Sequence, residues 1–123
     1  MKSIKFLFIA LFSLSLLAAC NKLTQKNIIG EWHLTAAKFN GVDVPLAGQT
    51  WVVVFNDNQT GTSTINGNSS TMVWSLDEDA QTITFPSLSG PDQVYTVLEK
   101  KGNTLMVKYE DSGNTYEYTF EKQ

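Results

Sequence analysis

Short segments in which apolar and polar residues alternate recur along the chain from about residue 28 onward. In the last of them Tyr116, Tyr118 and Phe120 share one face of an extended strand, and Glu117 and Thr119 share the other. Turn-forming residues separate these segments at roughly ten- to twelve-residue intervals, which is typical of antiparallel sandwiches and barrels. The pattern therefore predicts an all-β domain whose strands each bury one face.

Eight strands are predicted, at residues 28–37, 50–55, 61–65, 72–76, 82–85, 94–100, 104–109 and 115–122. The connections between them are too short for parallel crossovers, which favours an antiparallel up-and-down arrangement. Closure removes the two exposed edges that an open sheet would have, so we expect a small eight-stranded barrel. Segment 61–65 has almost no apolar side chains and is a candidate for an exposed edge.

Alternation places many large rings inside this barrel: Trp32, Trp51, Phe55, Trp74, Phe85, Tyr116, Tyr118 and Phe120. A barrel of this size is either filled by its own side chains or holds one small ligand. In the second case tryptophans supply contact area and tyrosine hydroxyls orient an apolar ligand. The candidate ligand-binding residues are then Trp51, Phe55, Trp74, Tyr95, Tyr116 and Tyr118. The pattern leaves both alternatives open.

The first residues have the pattern of an export signal. Lys2 and Lys5 precede an apolar stretch at 6–17, which is too short to span a membrane stably, and Ala18 and Ala19 form a small-residue cleavage site. We therefore expect a signal-peptide helix at 1–19.

The sequence Leu17-Ala18-Ala19-Cys20 resembles the lipobox of bacterial lipoproteins. The resemblance implies that Cys20 is lipidated, becomes the first residue of the mature protein and attaches it to the membrane of the cell envelope. Asn21 in the next position implies, by the same resemblance, the outer membrane. The polar residues 20–27 are then expected to form a flexible lipidated tether, followed by one domain at 28–123.

Charge excludes one class of partner. Without residues 1–19 the chain has seven lysines and twelve acidic residues, a net charge of −5, and it contains no arginine. Nucleic acids require a basic surface that this sequence does not supply. Cys20 is the single cysteine, so no disulfide is expected within the domain.

Catalytic chemistry is not expected either. The single histidine, His33, alternates with Trp32 and so faces outward, and no nucleophile with a base and an orienting group is visible. The acidic run 77–79 is typical of a solvated turn. The turn 57–59 lacks the later bidentate glutamate of a calcium loop, so neither a metal nor a cofactor is expected.

Gly30 and Trp32 form a Gly-x-Trp motif at the start of the first strand. With the meander that follows, the chain resembles the lipocalin-like domains of small bacterial lipoproteins, many of them from Bacteroidetes. The resemblance implies that Trp32 packs across the closed end of the barrel, that Gly30 permits close packing, and that a small hydrophobic molecule binds. Larger lipocalins cover this tryptophan with an arginine, so here Lys122 or a tyrosine such as Tyr118 must cover it.

Two functions from different classes remain at this level. One is a lipid-anchored envelope protein that binds a small hydrophobic ligand. The other is a solid barrel that acts as a protein-interaction subunit or inhibitor through its long connections 39–49 and 86–92, with Leu46 and Leu88 as apolar anchors.

Overall fold

The computed structural model describes residues 22–123. Its regular structure is entirely extended, which confirms the all-β prediction. The strands in this part of the chain are β1 (Gly30–Phe39), β2 (Val42–Val44), β3 (Trp51–Phe55), β4 (Thr60–Ile65), β5 (Asn68–Val73), β6 (Ser75–Asp77), β7 (Thr82–Phe85), β8 (Gln93–Lys101), β9 (Thr104–Asp111) and β10 (Asn114–Lys122). No helix in residues 22–123 is suited by length and apolar character to cross a membrane. The predicted signal helix and Cys20 lie outside the described residues.

The strands form one antiparallel sheet in the order β5-β4-β3-β1-β10-β9-β8-β7-β6, and β2 pairs with β1 beside this path. Pairing of β1 with β10, from Trp32 opposite Lys122 to Phe39 opposite Tyr116, joins the two ends of the chain's meander. The sheet thereby curls into a nearly closed barrel. Its two terminal strands, β5 and β6, follow each other directly in the chain.

Ten strands in the described residues replace the predicted eight. One extra strand is β2, which lies in a connection predicted to be irregular. The other arises because predicted strand 72–76 is interrupted at Trp74, so that β5 pairs with β4 and β6 pairs with β7. The backbone nitrogen of Trp74 donates to the carbonyl of Gln59 (3.0 Å), and its indole nitrogen donates to that of Thr60 (2.9 Å). These bonds hold Trp74 at the point where the chain stops pairing with β4 and begins to pair with β7.

Strand β4 is not the exposed edge that its polar sequence suggested, because it pairs with β3 on one side and β5 on the other. Gly61 lies opposite Phe55, and a side chain there would collide with the carbonyl oxygen of Val54. Glycine therefore lets the two backbones approach closely. The hydroxyl of Ser63 accepts a hydrogen bond from the indole of Trp51 (2.9 Å). A polar side chain of β4 therefore also links this strand to β3.

The core contains four of the eight rings that alternation assigned to the interior, together with aliphatic side chains. The barrel wall contributes Trp32, Val53, Phe55, Trp74, Ile83, Leu105, Val107 and Phe120, all buried. Leu23 and Ile28, which precede β1, are fully buried against them. Burial of apolar surface, at about 25 cal/mol per Å², is the main stabilising contribution for such a core.

The flexible tether expected through residue 27 is wrong for residues 22–27, which pack on the barrel. Besides burying Leu23, this segment bonds to a distant turn: the backbone nitrogen of Leu23 donates to Gln81 Oε1 (3.0 Å), and Gln81 Nε2 donates back to the carbonyl of Leu23 (2.9 Å). A single leucine among polar residues gives no periodic signal, so the pattern could not reveal this packing.

Candidate functional site

The two ends of the barrel are built differently. One, the closed end, comprises the segment 22–29 and the connections 56–59, 78–81 and 102–103. The other, the mouth, comprises the connections 40–50, 66–67, 86–92 and 112–113, with β2 among them.

Trp32 fills the closed end, where its side chain is 1% exposed. Its indole nitrogen donates to the carbonyl of Ile28 (2.8 Å). The ammonium of Lys122 lies 5.6 Å from the centroid of the Trp32 ring and donates to the carbonyl of Asn27 (2.9 Å). Lys122 therefore supplies the cover that an arginine supplies in larger lipocalins, through a cation–π contact and a hydrogen bond.

Gly30 makes this arrangement possible. Its φ of +137° lies in a region that L side chains rarely adopt, and a Cβ atom there would lie 2.6 Å from Cε of Lys122. The glycine of the Gly-x-Trp motif therefore makes room for the lysine that covers the tryptophan.

Two carboxylates of the acidic run 77–79, at the closed end, accept hydrogen bonds from backbone nitrogens. Asp77 Oδ1 accepts hydrogen bonds from the backbone nitrogens of Asp79 and Ala80, both at 3.0 Å. Glu78 Oε2 accepts one from the backbone nitrogen of Gln25 (2.9 Å), and the side chain of Gln25 donates to that of Gln59. These carboxylates hold the turn and the N-terminal segment in place and do not face each other across a cleft.

No cluster of three or more His, Cys, Asp or Glu side chains in residues 22–123 could hold a metal ion. In the turn considered for calcium, Asn58 Oδ1 accepts a hydrogen bond from the backbone nitrogen of Thr60 (3.3 Å). The Gln59 amide donates to the carbonyl of Trp74 (3.2 Å). Both side chains therefore make hydrogen bonds to the backbone of the protein.

The middle of the barrel is almost completely filled. A void of about 30 Å³ remains there, bordered by aromatic and aliphatic side chains that include Phe55, Phe85 and Val107. This is about the volume that one water molecule occupies in the liquid. Binding sites for small molecules usually measure several hundred Å³, so this void is too small for a ligand of that size.

The mouth, in contrast, contains an open pocket of about 500 Å³. Its walls come from the barrel and from the connection after β2: Leu34, Ala37, Val44, Pro45, Leu46, Gln49, Thr50, Trp51, Ser63, Ile65, Gln93, Tyr95 and Tyr118. The backbone nitrogen of Thr50 donates to Asn66 Oδ1 and that of Asn66 to the carbonyl of Thr50, both at 2.9 Å. These bonds fasten the connection to the β3–β4 hairpin.

Aromatic rings connect the pocket with the core. Tyr95, Tyr109 and Tyr116 come from three adjacent strands and stand side by side, with centroids 5.0 Å apart for the first pair and 6.2 Å for the second. Trp51 meets Tyr118 edge to face at 5.0 Å. Such pairs contribute about 0.5–1.5 kcal/mol each beyond their burial, so they stabilise the walls of the pocket.

The tyrosine hydroxyls at this end make no hydrogen bond to any residue in 22–123. Burial raises the pKa of Tyr95, and the neighbouring Tyr118 and Tyr109 raise it further. Burial likewise raises the pKa of Tyr118, followed by the effects of Tyr116 and Tyr109. Both side chains are therefore neutral at physiological pH and present hydroxyl groups to a partly dehydrated pocket.

The structure separates the six candidate ligand residues into three groups. Trp51, Tyr95 and Tyr118 line the mouth pocket. Tyr116 lies in the neighbouring ring cluster, beside Tyr109 and Tyr118. Phe55 and Trp74 pack edge to face at 5.2 Å in the core, away from the pocket. A ligand role therefore remains a prediction for the first three, and the last two do not border the open pocket.

Sequence reasoning did not identify most of the pocket wall. Ala37, Val44 and Gln93 border it, although none lies in a segment with a strong aromatic pattern. Leu46, considered an anchor for a protein partner, also faces the pocket. The signal that was available is Pro45 with its apolar neighbours in a connection that is otherwise polar.

His33 lies on the outside of the barrel, as alternation predicts. Its Nε2 atom is 2.8 Å from a carboxylate oxygen of Glu31, which is on the same outward face of β1. His33 therefore does not line the mouth pocket. Its exposed pair with Glu31 contributes little to stability.

Comparison with known proteins agrees with this architecture. A protein-family model described as a lipocalin-like domain matches residues 28–107, which include Gly30 and Trp32. The match ends before β10, the strand that completes the barrel by pairing with β1. Searches of curated proteins and of solved structures found no match. The matched segment covers more than half of the chain, and the protein therefore belongs to the lipocalin-like domain family.

Proposed function

We propose that this protein is a lipid-anchored binding protein of the bacterial cell envelope that holds a small hydrophobic ligand at the mouth of its barrel. The observation that carries the proposal is the pocket of about 500 Å³, lined largely by aromatic and aliphatic side chains, above a filled interior. Its size lies within the range of small-molecule sites. Membership in the lipocalin-like domain family supports the same ligand class.

The ligand is held without chemical change. Among the hydroxyl groups that line the pocket, those of Tyr95 and Tyr118 are neutral, and burial moves the pKa of each away from the range useful for acid–base catalysis. Hydroxyls of this kind orient a ligand by hydrogen bonding.

Lipidation of Cys20 would attach the barrel by its closed end. Two residues separate Cys20 from Leu23, which is fully buried there, so the chain between them reaches about 10 Å at most. The closed end would then lie next to the membrane, and the mouth would open away from it.

The ligand proposal is tested with two neighbouring alanines. Ala37 lines the pocket and lies opposite Tyr118, whereas the exposed Ala36 lies opposite Thr119 on the outer face. We expect Ala37→Trp to fill part of the pocket and Ala36→Trp to leave it open. The parent and both variants are isolated from cells, and small molecules that copurify are identified by mass spectrometry.

A hydrophobic molecule that copurifies with the parent and with Ala36→Trp, and is lost from Ala37→Trp, supports the proposal. Absence of any such molecule from all three proteins, when native-like folding is verified by circular dichroism, argues against it. So does a molecule that Ala37→Trp retains undiminished.

The anchor is tested by Cys20→Ser. Stable attachment needs more than one acyl chain, and lipoprotein processing at Cys20 is the route proposed for it. We expect the variant to move into the soluble or the unprocessed fraction. Membrane attachment that is unchanged in the processed variant would contradict lipidation at this residue.

A second function has one specific observation in its favour. The mouth has exposed apolar side chains on its rim, among them Val42, Ile65, Leu88 and Val94, and Leu88 is completely exposed. Such residues suit contact with another envelope protein, with the protein acting as an interaction subunit or inhibitor. Leu88 fits the anchor role predicted for it, whereas Leu46 faces the pocket.

Crosslinking in intact cells distinguishes the two functions. A partner that depends on the rim is lost in Leu88→Ser and in Val42→Ser but kept in Ala37→Trp. A ligand-dependent function gives the opposite pattern, because only Ala37→Trp changes the pocket wall.

A further inference from the structure

The mouth pocket has an unusual electrostatic character for a site with so many polar groups. Among residues 22–123, none of those that line it is charged; the polar ones are Gln49, Thr50, Ser63, Gln93, Tyr95 and Tyr118. Their amide and hydroxyl groups donate and accept hydrogen bonds without carrying charge. A ligand can therefore satisfy polar groups in this pocket without finding a counter-ion there.

Lys38 and Lys108 do not line the mouth pocket. Lys38 follows the pocket residue Ala37, so it lies on the outer face, where its register partners are Glu117 and Asp43. Lys108 forms an ion pair with Glu110, with an N–O distance of 3.0 Å. Each lysine is therefore adjacent to acidic side chains and is not positioned to bind a ligand anion in the pocket.

Acidic side chains border the mouth. Asp92 precedes the pocket residue Gln93, and its Oδ1 atom accepts a hydrogen bond from the backbone nitrogen of Ser87 (3.2 Å) in the connection 86–92. Asp111 ends β9 at the same end of the barrel. An anion that enters the mouth passes these carboxylates, whose repulsion is screened by salt but not removed.

The filled interior sets how a ligand lies in the pocket. An amphipathic molecule usually keeps its charged head in water by inserting its apolar tail deeply. The void beneath this pocket measures about 30 Å³, which leaves no room for a tail. The tail must then lie in the open pocket itself, beside the hydroxyls of Tyr95 and Tyr118 that line it.

From this arrangement we propose that the mouth binds an uncharged amphiphile, whose hydroxyl or carbonyl group hydrogen-bonds to the tyrosines, and that it rejects carboxylates. A carboxylate placed there loses hydration and gains no cation, which weakens its binding. A neutral hydroxyl loses less and gains a hydrogen bond. This inference rests on the proposed ligand-binding function and specifies its ligand class.

The test uses three eight-carbon probes that differ only in their head group: octanol, octanoate and octylammonium. Their binding to the full chain in lipid nanodiscs is measured by equilibrium dialysis, with empty nanodiscs as the blank. We expect octanol to bind most tightly and octanoate at least tenfold more weakly, with octylammonium between them because of the acidic rim.

Two lysine substitutions give matched controls. Gln93→Lys adds a cation to the wall of the pocket, and Gln123→Lys adds the same charge at the closed end. We expect the affinity for octanoate to rise at least fivefold in Gln93→Lys and to stay unchanged in Gln123→Lys. A merely global effect of net charge would raise both alike.

The possible outcomes test the charge inference and the proposed ligand-binding function separately. Octanol preference in the parent that narrows in Gln93→Lys and not in Gln123→Lys supports both. Octanoate that binds the parent as tightly as octanol overturns the charge inference and leaves ligand binding standing. If none of the three probes binds the folded protein above the blank, both the ligand-binding function and the charge inference are overturned.

Discussion

The closed end and the mouth are made by the same strands, yet their polar groups are treated in opposite ways. At the closed end, Gln81 and Glu78 bond to the N-terminal segment, and Lys122 bonds to Asn27 above Trp32. At the mouth, the hydroxyls of Tyr95 and Tyr118 have no partner in residues 22–123. The closed end therefore uses these polar side chains to hold the fold. The mouth is also fastened by hydrogen bonds, such as those between Thr50 and Asn66, but it leaves these tyrosine hydroxyls for a ligand.

This contrast shows how a small barrel can be stable and still have a binding site. A group already bonded within the protein gains little from a ligand, whereas an accessible hydroxyl without a partner in the protein is free to bond to one. Keeping the tyrosine hydroxyls out of the internal hydrogen bonds leaves the mouth with polar groups for a ligand. We therefore expect substitutions at the closed end to change stability and those at the mouth to change binding.

The largest expected effect is that of Trp32→Ala. Removing this buried ring takes away its packing, its bond to Ile28 and the cation–π contact with Lys122. Truncation of a buried tryptophan costs about 3–5 kcal/mol of the free energy of unfolding. Urea denaturation followed by circular dichroism measures it, with the exposed Leu88→Ala as a control that changes stability by less than about 0.5 kcal/mol. Equal effects of the two substitutions would contradict the contrast between the ends.

Two glycines sharpen the comparison. Gly30→Ala at the closed end forces an alanine to a φ of +137° and places its Cβ against Lys122, so we expect a loss of about 2–3 kcal/mol. Gly113→Ala in a turn at the mouth meets no atom within 4 Å, and only its φ of +83° is unfavourable, which costs about 1 kcal/mol. The same denaturation measurement applies, and a loss for Gly113→Ala as large as that for Gly30→Ala would show that Lys122 is not the cause.

A third pair compares glutamines at the two ends. Gln81 donates to the carbonyls of Leu23 and Glu78, whereas Gln49 lies exposed at the mouth. We expect Gln81→Ala to lower the free energy of unfolding by about 1–2 kcal/mol, because it leaves buried backbone groups without partners. Gln49→Ala is expected to change it by less than about 0.5 kcal/mol. Hydrogen exchange at Leu23 gives a second measurement, and unchanged protection there in Gln81→Ala would contradict this role.

The smallest expected effect at neutral pH is that of Tyr95→Phe, about 0.5 kcal/mol or less, because the hydroxyl has no bond to lose. Above pH 10 the effect grows. Burial raises the pKa of Tyr95 above its ordinary value of 10.0, so the unfolded chain releases this proton while the native chain keeps it. The parent then loses up to about 1.4 kcal/mol per pH unit from this group, and Tyr95→Phe does not. Urea midpoints at pH 9 and pH 11 measure the difference; parallel losses would contradict it.

Local chemistry made much of the fold predictable. Tyr116, Tyr118 and Phe120 alternate with polar residues, so their shared face follows from the geometry of a single strand. The resemblance to lipocalins implied that Lys122 or a tyrosine covers Trp32, and Lys122 covers the ring. The interruption at Trp74 was not predictable, because it depends on bonds to the distant turn at Gln59 and Thr60.

The candidate site was predictable only in part. Aromatic residues marked Trp51, Tyr95 and Tyr118 as candidates, but the same signal marked Phe55 and Trp74, which lie in the core. Position along the barrel axis separates the two groups, and that position depends on the register of every strand between them. Alternation predicts which face of the sheet a side chain occupies, but it does not predict the position of that side chain along the barrel axis.

By itself, the sequence determined the all-β class, the inward faces of the strands and the lipocalin-like motif at Gly30 and Trp32, since each depends on residues close together in the chain. Only the tertiary structure decided that Leu23 seals one end, that the middle is filled and that a pocket opens at the other. The physical reason is that volume and hydrogen-bond partners are shared among distant strands. They exist only once closure has brought those strands together.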